Sequence, residues 1–275
     1  MPADASSISS RVTQGSAALF IGHPGHELRA YGWVRQNRPR VSILTDGSGL
    51  DGASRVDRTT ALLKGIGAGR GGIYAAFSDR AIYKAILDGE IASFTRIADT
   101  IAGQWIEQNI ELVASDASEG YCPTHDLCNE IAKAAVELVL KQTGRRISHY
   151  SFRLTEFKPE EEDALLKGAI RIRLSDEVLA EKIAAARSYV ELRREVDEAL
   201  NARGPEYFRD EWLMPAEDWD GQSAGYKPFY EELGERRLAQ GAIATVLRYR
   251  EHMLPILAAL REYATSGRAV SHAVA

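Results

Sequence analysis

Short apolar runs alternate with amphipathic stretches along most of the chain. Apolar, partly β-branched runs at residues 17–21, 41–45, 73–77 and 110–115 predict strands, as do residues 150–155 and 169–174. Apolar positions three or four residues apart predict helices over residues 26–37, 55–66, 79–109 and 123–141, with a break at Gly89. Strands that alternate with helices predict an α/β fold, a three-layer, Rossmann-like and mostly parallel sheet.

The C-terminal part of the chain has a different pattern. Helices are predicted over residues 176–199 and 241–263, and residues 204–230 are rich in aromatic side chains. Such an aromatic segment either packs against the domain or forms a lid or a wall on which a sugar stacks. We interpret residues 16–155 as the α/β core and residues 156–265 as a helical C-terminal annex, an α-rich extension that completes the same domain. Residues 1–15 and 266–275 are expected to be flexible tails.

Two of the predicted strands end in loops that contain histidines. His23 and His26 follow the first strand, and His125 follows the strand at residues 110–115. Ligands of open α/β sheets bind at the carboxyl ends of the strands, so these side chains are expected to lie close together. Three imidazoles would leave one position open on a tetrahedral zinc ion, as in catalytic zinc sites. The pattern therefore predicts a zinc site with His23, His26 and His125 as ligands.

Composition narrows the function classes. The chain of 275 residues is 45% hydrophobic and 27% charged, without an apolar run long enough to span a bilayer. A net charge of −5 and the lack of a basic stripe argue against a nucleic-acid partner. Cys122 and Cys128 are too few for a disulfide framework, which favours a cytoplasmic protein with two reduced thiols. The expected partner is a small-molecule or sugar substrate, and the sequence leaves a homo-oligomer open.

Two short motifs resemble those of the LmbE-like or PIG-L-type zinc-dependent N-deacetylases. Residues 22–27 read Gly-His-Pro-Gly-His-Glu, where the family has roughly Ala-His-Pro-Asp-Asp-Glu. Residues 122–125 read Cys-Pro-Thr-His, where the family has roughly His-Pro-Asp-His. Residues 45–47, Arg55 and residues 66–67 are similar to family features between the motifs. The resemblance covers about residues 17–150 and implies the family's fold, a Zn²⁺ cofactor and removal of acyl groups from amino sugars or related amides.

Carried over position by position, the resemblance assigns His23 and His125 to two zinc ligands. His26 takes the place of the third ligand, which is normally an aspartate. Gly25 stands where the family has its general base, also an aspartate, and Cys122 replaces a histidine. The resemblance thus implies that the metal site is kept and that the usual proton-transfer group is missing.

Another carboxylate is then needed as the base if the protein is a hydrolase. Asp46 and Glu119 are preferred because each lies in a loop at a strand end, whereas Glu27 follows a ligand directly and could instead orient an imidazole. Tyr121 is a candidate donor to an oxyanion. Arg55 and Asp126 are candidate substrate-binding residues.

These observations predict a zinc-dependent amidase or N-deacetylase that acts on an N-acylated amino sugar or a small acylated amine. One alternative is a catalytically altered carbohydrate-binding or accessory protein of glycan or natural-product biosynthesis, because Gly25 and Cys122 depart from the family motifs. Another is a three-histidine metalloenzyme with redox or other chemistry.

Overall fold

A single mixed sheet organises the chain. The computed structural model describes residues 16–49, 52–156, 166–216 and 226–266. Within these described residues, seven strands lie in the order β3-β2-β1-β4-β5-β7-β6. The first five of these are parallel, and β7 is antiparallel to both of its neighbours. Their bounds are Ala17–Ile21 (β1), Arg40–Thr45 (β2), Gly69–Phe77 (β3), Leu112–Asp116 (β4), Ser148–Phe152 (β5), Ile170–Arg173 (β6) and Asp210–Pro215 (β7).

Helices cover both faces of the sheet and give the three layers expected from the sequence. The α-helices are Tyr31–Asn37 (α1), Val56–Ile66 (α2), Asp79–Leu87 (α3), Ile91–Glu107 (α4), Pro123–Thr143 (α5), Asp176–Ser188 (α6), Arg193–Arg203 (α7), Phe229–Ala239 (α8) and Leu254–Ser266 (α9). The break at Gly89 is confirmed, since this glycine has a φ of +65° between α3 and α4. Short 3₁₀ turns span His26–Ala30, Val190–Leu192 and Pro205–Phe208.

The central strand β1 is buried on both faces. Its alternate side chains belong to two different cores: Phe20 packs with α4 and α5, and Leu19 packs with Trp33 of α1 and Leu63 of α2. A strand between two helical layers reads as a continuous apolar run for this reason.

The order of the strands reverses between β1 and β4. The chain runs outward from β1 to β2 and β3, crosses back through α3 and α4, and inserts β4 on the other side of β1. Phe20 of β1 lies opposite Ser115 of β4, so the loops that follow the two strands leave the sheet side by side. Such a reversal creates the crevice in which open α/β sheets bind their ligands.

The C-terminal part is more than a helical annex. It adds β6 and β7 to the sheet as well as helices α6 to α9. Trp212, within the aromatic segment predicted at residues 204–230, lies in β7. Residues 217–225 of that segment, including Trp219, lie outside the described residues, as do residues 1–15 and 267–275 of the predicted tails.

Two predicted helices are shorter in the structure. The helix expected over residues 176–199 is interrupted at Tyr189, whose ψ of 93° leaves the helical region and whose side chain is fully buried. The helix expected over residues 241–263 begins as an α-helix only at Leu254, after a π-helical turn. Arg248 is extended there, and its guanidinium pairs with Glu231 and Glu235 of α8. In the described part of the chain, no helix is long and apolar enough to cross a membrane.

Candidate metal centre

Three imidazoles meet at the crevice between β1 and β4. His23 and His26 lie in the loop after β1, and His125 lies in the first turn of α5. The ring centroids are 5.0 Å apart for His23 and His26, 5.1 Å for His23 and His125, and 4.6 Å for His26 and His125. The structure therefore brings together the three histidines that the sequence singled out.

A buried carboxylate at the end of β4 holds this arrangement. Asp116 Oδ2 lies 2.8 Å from His26 Nδ1 and accepts the Gly22 N–H at 2.7 Å. This contact uses one ring nitrogen of His26 and leaves Nε2 available to a metal. Carboxylates often orient metal-binding histidines in this way. The sequence analysis did not single out Asp116, although this residue directly follows the strand predicted at residues 110–115.

Burial keeps the three imidazoles in the form that binds metals. Desolvation, followed by the nearby His26 and Arg55, lowers the pKa of His23 well below its ordinary value. Desolvation and Arg55 lower the pKa of His26 to about 3, and desolvation lowers the pKa of His125 as well. Neutral imidazole is the ligand form, so the site needs no deprotonation of its histidines at neutral pH.

Several buried polar atoms of the site lack a hydrogen-bond partner. Within the described part of the chain, these atoms include Nδ1 of His23, Nδ1 of His125, Oδ1 of Asp79 and Oδ1 of Asp116. Buried polar groups are nearly always satisfied, so unpartnered nitrogen and oxygen atoms in one place need an explanation. A zinc ion accepts donors of this kind, and the residues present fit such an ion.

Cys122 joins the site although sequence reasoning assigned it no role there. One ligand atom each from His23, Cys122 and His125 lie within 4.8 Å of one another, and among the described residues this group contains Cys122 in the place predicted for His26. The sulfur lies 4.0 Å from the hydroxyl of Tyr83, and burial raises the pKa of the thiol to about 11. Cys122 immediately precedes Pro123, the first residue of α5, and His125 lies in the first turn of that helix. The start of α5 therefore places the thiol near His125. Thiolate is a common zinc ligand.

Asp79 is a second residue that the sequence did not single out. Its Oδ1 lies 3.4 Å from His23 Nε2, and its Oδ2 accepts the Gly49 N–H at 2.7 Å. Asp79 is the first residue of α3, directly after β3. The helix-start pattern of Ser78 and Asp79 was the only sequence signal, and it is common in helices without a functional role.

Asp46 and Arg55 lie beside the histidines. Asp46 favours the charged form of His23, and its Oδ1 accepts the N–H groups of Ser48 at 3.0 Å and Asp79 at 3.3 Å. Arg55 disfavours the charged form of His23 and His26, which places its positive charge near both. Gly47 makes room for Arg55, because a Cβ at residue 47 would lie 2.7 Å from Arg55 Nε.

Glu27 holds the loop that contains His23 and His26 by accepting a hydrogen bond from its backbone. Its carboxylate is fully buried and accepts the Gly25 N–H at 2.8 Å and the Thr59 hydroxyl at 2.9 Å, and also the hydroxyl of Tyr189. Desolvation raises the pKa of this carboxyl group. All of these contacts are to the protein framework, so the geometry favours an orienting role for Glu27.

Glu119 and Asp126 also bind backbone groups. Glu119 accepts the Leu154 N–H at 2.7 Å and pairs with Arg153 Nε at 3.0 Å, and so ties the loop after β4 to the end of β5. Asp126 accepts the N–H groups of Glu119 at 2.9 Å and Gly120 at 3.0 Å within the same loop. Burial raises the pKa of Asp126 to about 7. These contacts engage both carboxylates with the loop that precedes His125.

Tyr121 lies at the rim of the site. Its ring centroid is 6.4 Å from that of His125, and its ring stacks on Phe229 at 5.4 Å. The side chain is half exposed, so its hydroxyl is accessible to a ligand that enters the crevice.

Gly25 has a conformation that explains its identity. Its φ is +104°, a backbone conformation that residues other than glycine rarely adopt. A Cβ at this position would lie 2.9 Å from Cδ1 of Leu192. Leu192 thus lies against the position that a side chain at residue 25 would occupy.

No protein-family model matches the sequence, and no curated protein matches it. Solved structures similar to this chain include the A40926 pseudoaglycone deacetylase Dbv21, with 18% identity, a TM-score of 0.47 and coverage of 76% of this chain and 100% of that one. The conserved protein TT1542 of Thermus thermophilus matches with 15% identity, a TM-score of 0.48 and coverage of 73% and 92%. A zinc-inhibited form of teicoplanin deacetylase Orf2 matches with 15% identity, a TM-score of 0.47 and coverage of 73% and 97%. At these values the likenesses do not decide the chemistry, which depends on the residues of this chain.

Proposed function

We propose that the protein is a zinc-dependent hydrolase of amide bonds that removes the acyl group from an N-acylated amino sugar or a small acylated amine. The observation that carries the proposal is the cluster of three uncharged imidazoles, two of which have buried ring nitrogens without a partner among the described residues. The cluster lies in the crevice between β1 and β4, where α/β sheets bind ligands.

His23, His26 and His125 would hold the zinc ion, with the Cys122 sulfur close enough to two of them to bind as well. A bound zinc ion supplies a Lewis acid for the amide carbonyl and lowers the pKa of a water ligand. Asp116 keeps His26 in the orientation that exposes Nε2. The loop contacts of Glu27 and Glu119 hold the two ligand-bearing segments in place.

A carboxylate near the histidines has to accept the proton in place of the aspartate missing at residue 25. Asp79 suits this role because its Oδ1 is unpartnered among the described residues and lies 3.4 Å from His23 Nε2. Asp46 is the second candidate, since it lies close enough to His23 to influence its charge. The charge of Arg55 favours an anionic oxygen in the crevice, and the Tyr121 hydroxyl can donate to it from the rim.

The test is release of acid from a panel of N-acyl amino sugars and simple N-acyl amines by the zinc-loaded protein. Asp79→Asn should lower kcat by at least about a hundredfold while zinc content stays unchanged. Asp46→Asn is the matched variant: it makes the same change from carboxylate to amide at Asp46, whose Oδ1 accepts the Asp79 N–H. Full activity in both variants would show that neither carboxylate is the base.

A second candidate function, a carbohydrate-binding protein without turnover, is favoured by the contact between Gly25 and Leu192. A side chain at residue 25 would have to displace the end of Leu192 and adopt a positive φ, which disfavours the usual base at this position. Saturable binding of N-acyl amino sugars without acid release, by protein that carries zinc, would support this candidate over the hydrolase.

A further inference from the structure

We propose that a cavity beside Gly25 binds a medium-length apolar acyl chain of the substrate. This inference rests on the proposed amide hydrolase and names the acyl group on which it acts. The cavity has a volume of about 450 Å³, within the range of pockets that hold small ligands. It lies between the segment after β5, helices α6 and α7, and the start of β7.

Apolar side chains dominate the wall of this cavity. They come from six separate elements and include Leu28, Phe152, Ile183, Leu200, Phe208 and Trp212. A pocket with this lining gains free energy mainly by removing apolar surface of the ligand from water. The lining therefore favours a hydrocarbon or aromatic group over a second sugar.

Two buried cationic side chains of the wall, Arg29 and Lys182, already have partners. Arg29 donates to the carbonyl oxygens of Arg153 at 3.2 Å and Leu154 at 2.9 Å. Lys182 pairs with Glu211 at 2.9 Å, with both side chains almost completely buried. Charges that are held in this way offer little to a charged ligand, which again favours an uncharged chain.

Gly25 connects the cavity to the histidine cluster. It lines the cavity and is also one of the two residues between His23 and His26 in the loop after β1. Leu192 also lines the cavity, and its Cδ1 would lie 2.9 Å from a Cβ at residue 25. The same loop thus borders both parts: an amide at the histidines would lie next to the cavity, and the acyl chain would enter it beside residue 25 by displacing the end of the Leu192 side chain.

The first test uses glucosamine acylated with acetyl, butyryl, hexanoyl and octanoyl groups. The wild type should show kcat/KM that rises about fourfold per added methylene, as expected for burial of each group in an apolar site. Ala186→Phe places a ring in the cavity and should abolish this rise while activity on the acetyl compound persists. Ala184→Phe is the matched control, because Ala184 lies on the same helix but is exposed.

The second test measures binding of octanoate to the zinc-loaded protein by calorimetry and by Trp212 fluorescence, so it does not depend on turnover. Binding that Ala186→Phe weakens at least tenfold, and Ala184→Phe leaves unchanged, supports the cavity as the acyl site. Hydrolysis of the acetyl compound without chain-length dependence and without octanoate binding overturns this inference alone. Octanoate binding without hydrolysis of any N-acyl compound overturns the proposed hydrolase instead.

Discussion

Replacing Glu27 by alanine should destabilise the fold and loosen the metal loop. In the wild type, the buried carboxylate accepts hydrogen bonds from the Gly25 N–H and from the hydroxyls of Thr59 and Tyr189. These contacts join the loop that bears His23 and His26 to α2 and to the turn after α6. Glu27→Ala removes the acceptor from all three donors at once.

The expected loss follows from the donors that remain unpaired. Thr59 Oγ1 and the Tyr189 hydroxyl are 2.8 Å apart, so these two groups can still bond to each other. One hydroxyl hydrogen and the Gly25 N–H then lack acceptors, at about 1–3 kcal/mol each. Removing a carboxylate whose pKa is raised by desolvation offsets part of this cost. We expect a net loss of about 2–4 kcal/mol in the free energy of unfolding.

Urea unfolding of the wild type, Glu27→Ala and Glu27→Gln measures this loss through the shift of the midpoint at constant slope. Glu27→Gln keeps the shape and one acceptor oxygen, so it should cost about half as much. Zinc affinity should fall in the same order. A stability change below about 0.5 kcal/mol for Glu27→Ala would refute the orienting role. Loss of turnover in Glu27→Gln, with stability and zinc affinity unchanged, would make Glu27 the base.

Three further predictions concern other parts of the structure. Burial and then Lys133 lower the pKa of His149 to about 3. Because His149 takes up a proton below about pH 6.5 in the unfolded chain but not in the folded one, its contribution to stability should be fully present above that pH and should fall towards pH 3. In urea unfolding, His149→Gln should reduce the slope of the unfolding free energy against pH in this window by about 1 kcal/mol per pH unit. Gly25→Asp should lower the free energy of unfolding by about 1–3 kcal/mol. Adding Leu192→Ala should restore only the part of this loss that comes from overlap with Leu192 and leave the part that comes from the positive φ. A double-mutant cycle that shows no coupling between residues 25 and 192 would contradict this contact. Zinc should protect Cys122 from alkylation, whereas Cys128, which is fully buried, should react only after unfolding; equal labelling of Cys122 with and without zinc would place its sulfur outside the metal centre.

Local sequence signals predicted the core of the fold and the histidine cluster. The run at residues 17–21 is apolar throughout because β1 lies between two helical layers, and this pattern is visible in one sequence. Parallel strands present their carboxyl ends at one edge, so His23, His26 and His125 could be placed together without knowledge of any contact.

Features that depend on long-range packing could not be predicted in this way. Leu192 contacts Gly25 across a large sequence separation, and nothing in the local pattern of either residue indicates it. The direction in which a carboxylate points cannot be predicted from local sequence either. Glu27, Glu119 and Asp126 bind framework groups. Asp79, which the sequence did not single out, has an oxygen near His23 that bonds to no other described residue. Strand β7 was missed because its sequence, Asp-Glu-Trp-Leu-Met-Pro, lacks the alternation of a half-buried strand.

Metal content tests the central claim most directly. Mass spectrometry on tag-free wild type should find about one zinc ion per chain. Zinc should be lost in His23→Ala, His26→Ala and His125→Ala and retained in His252→Ala, whose ring bonds only to Arg248 in the described part of the chain. Wild-type protein that remains free of zinc after incubation with the metal, or zinc retained in all three site variants, would contradict the account.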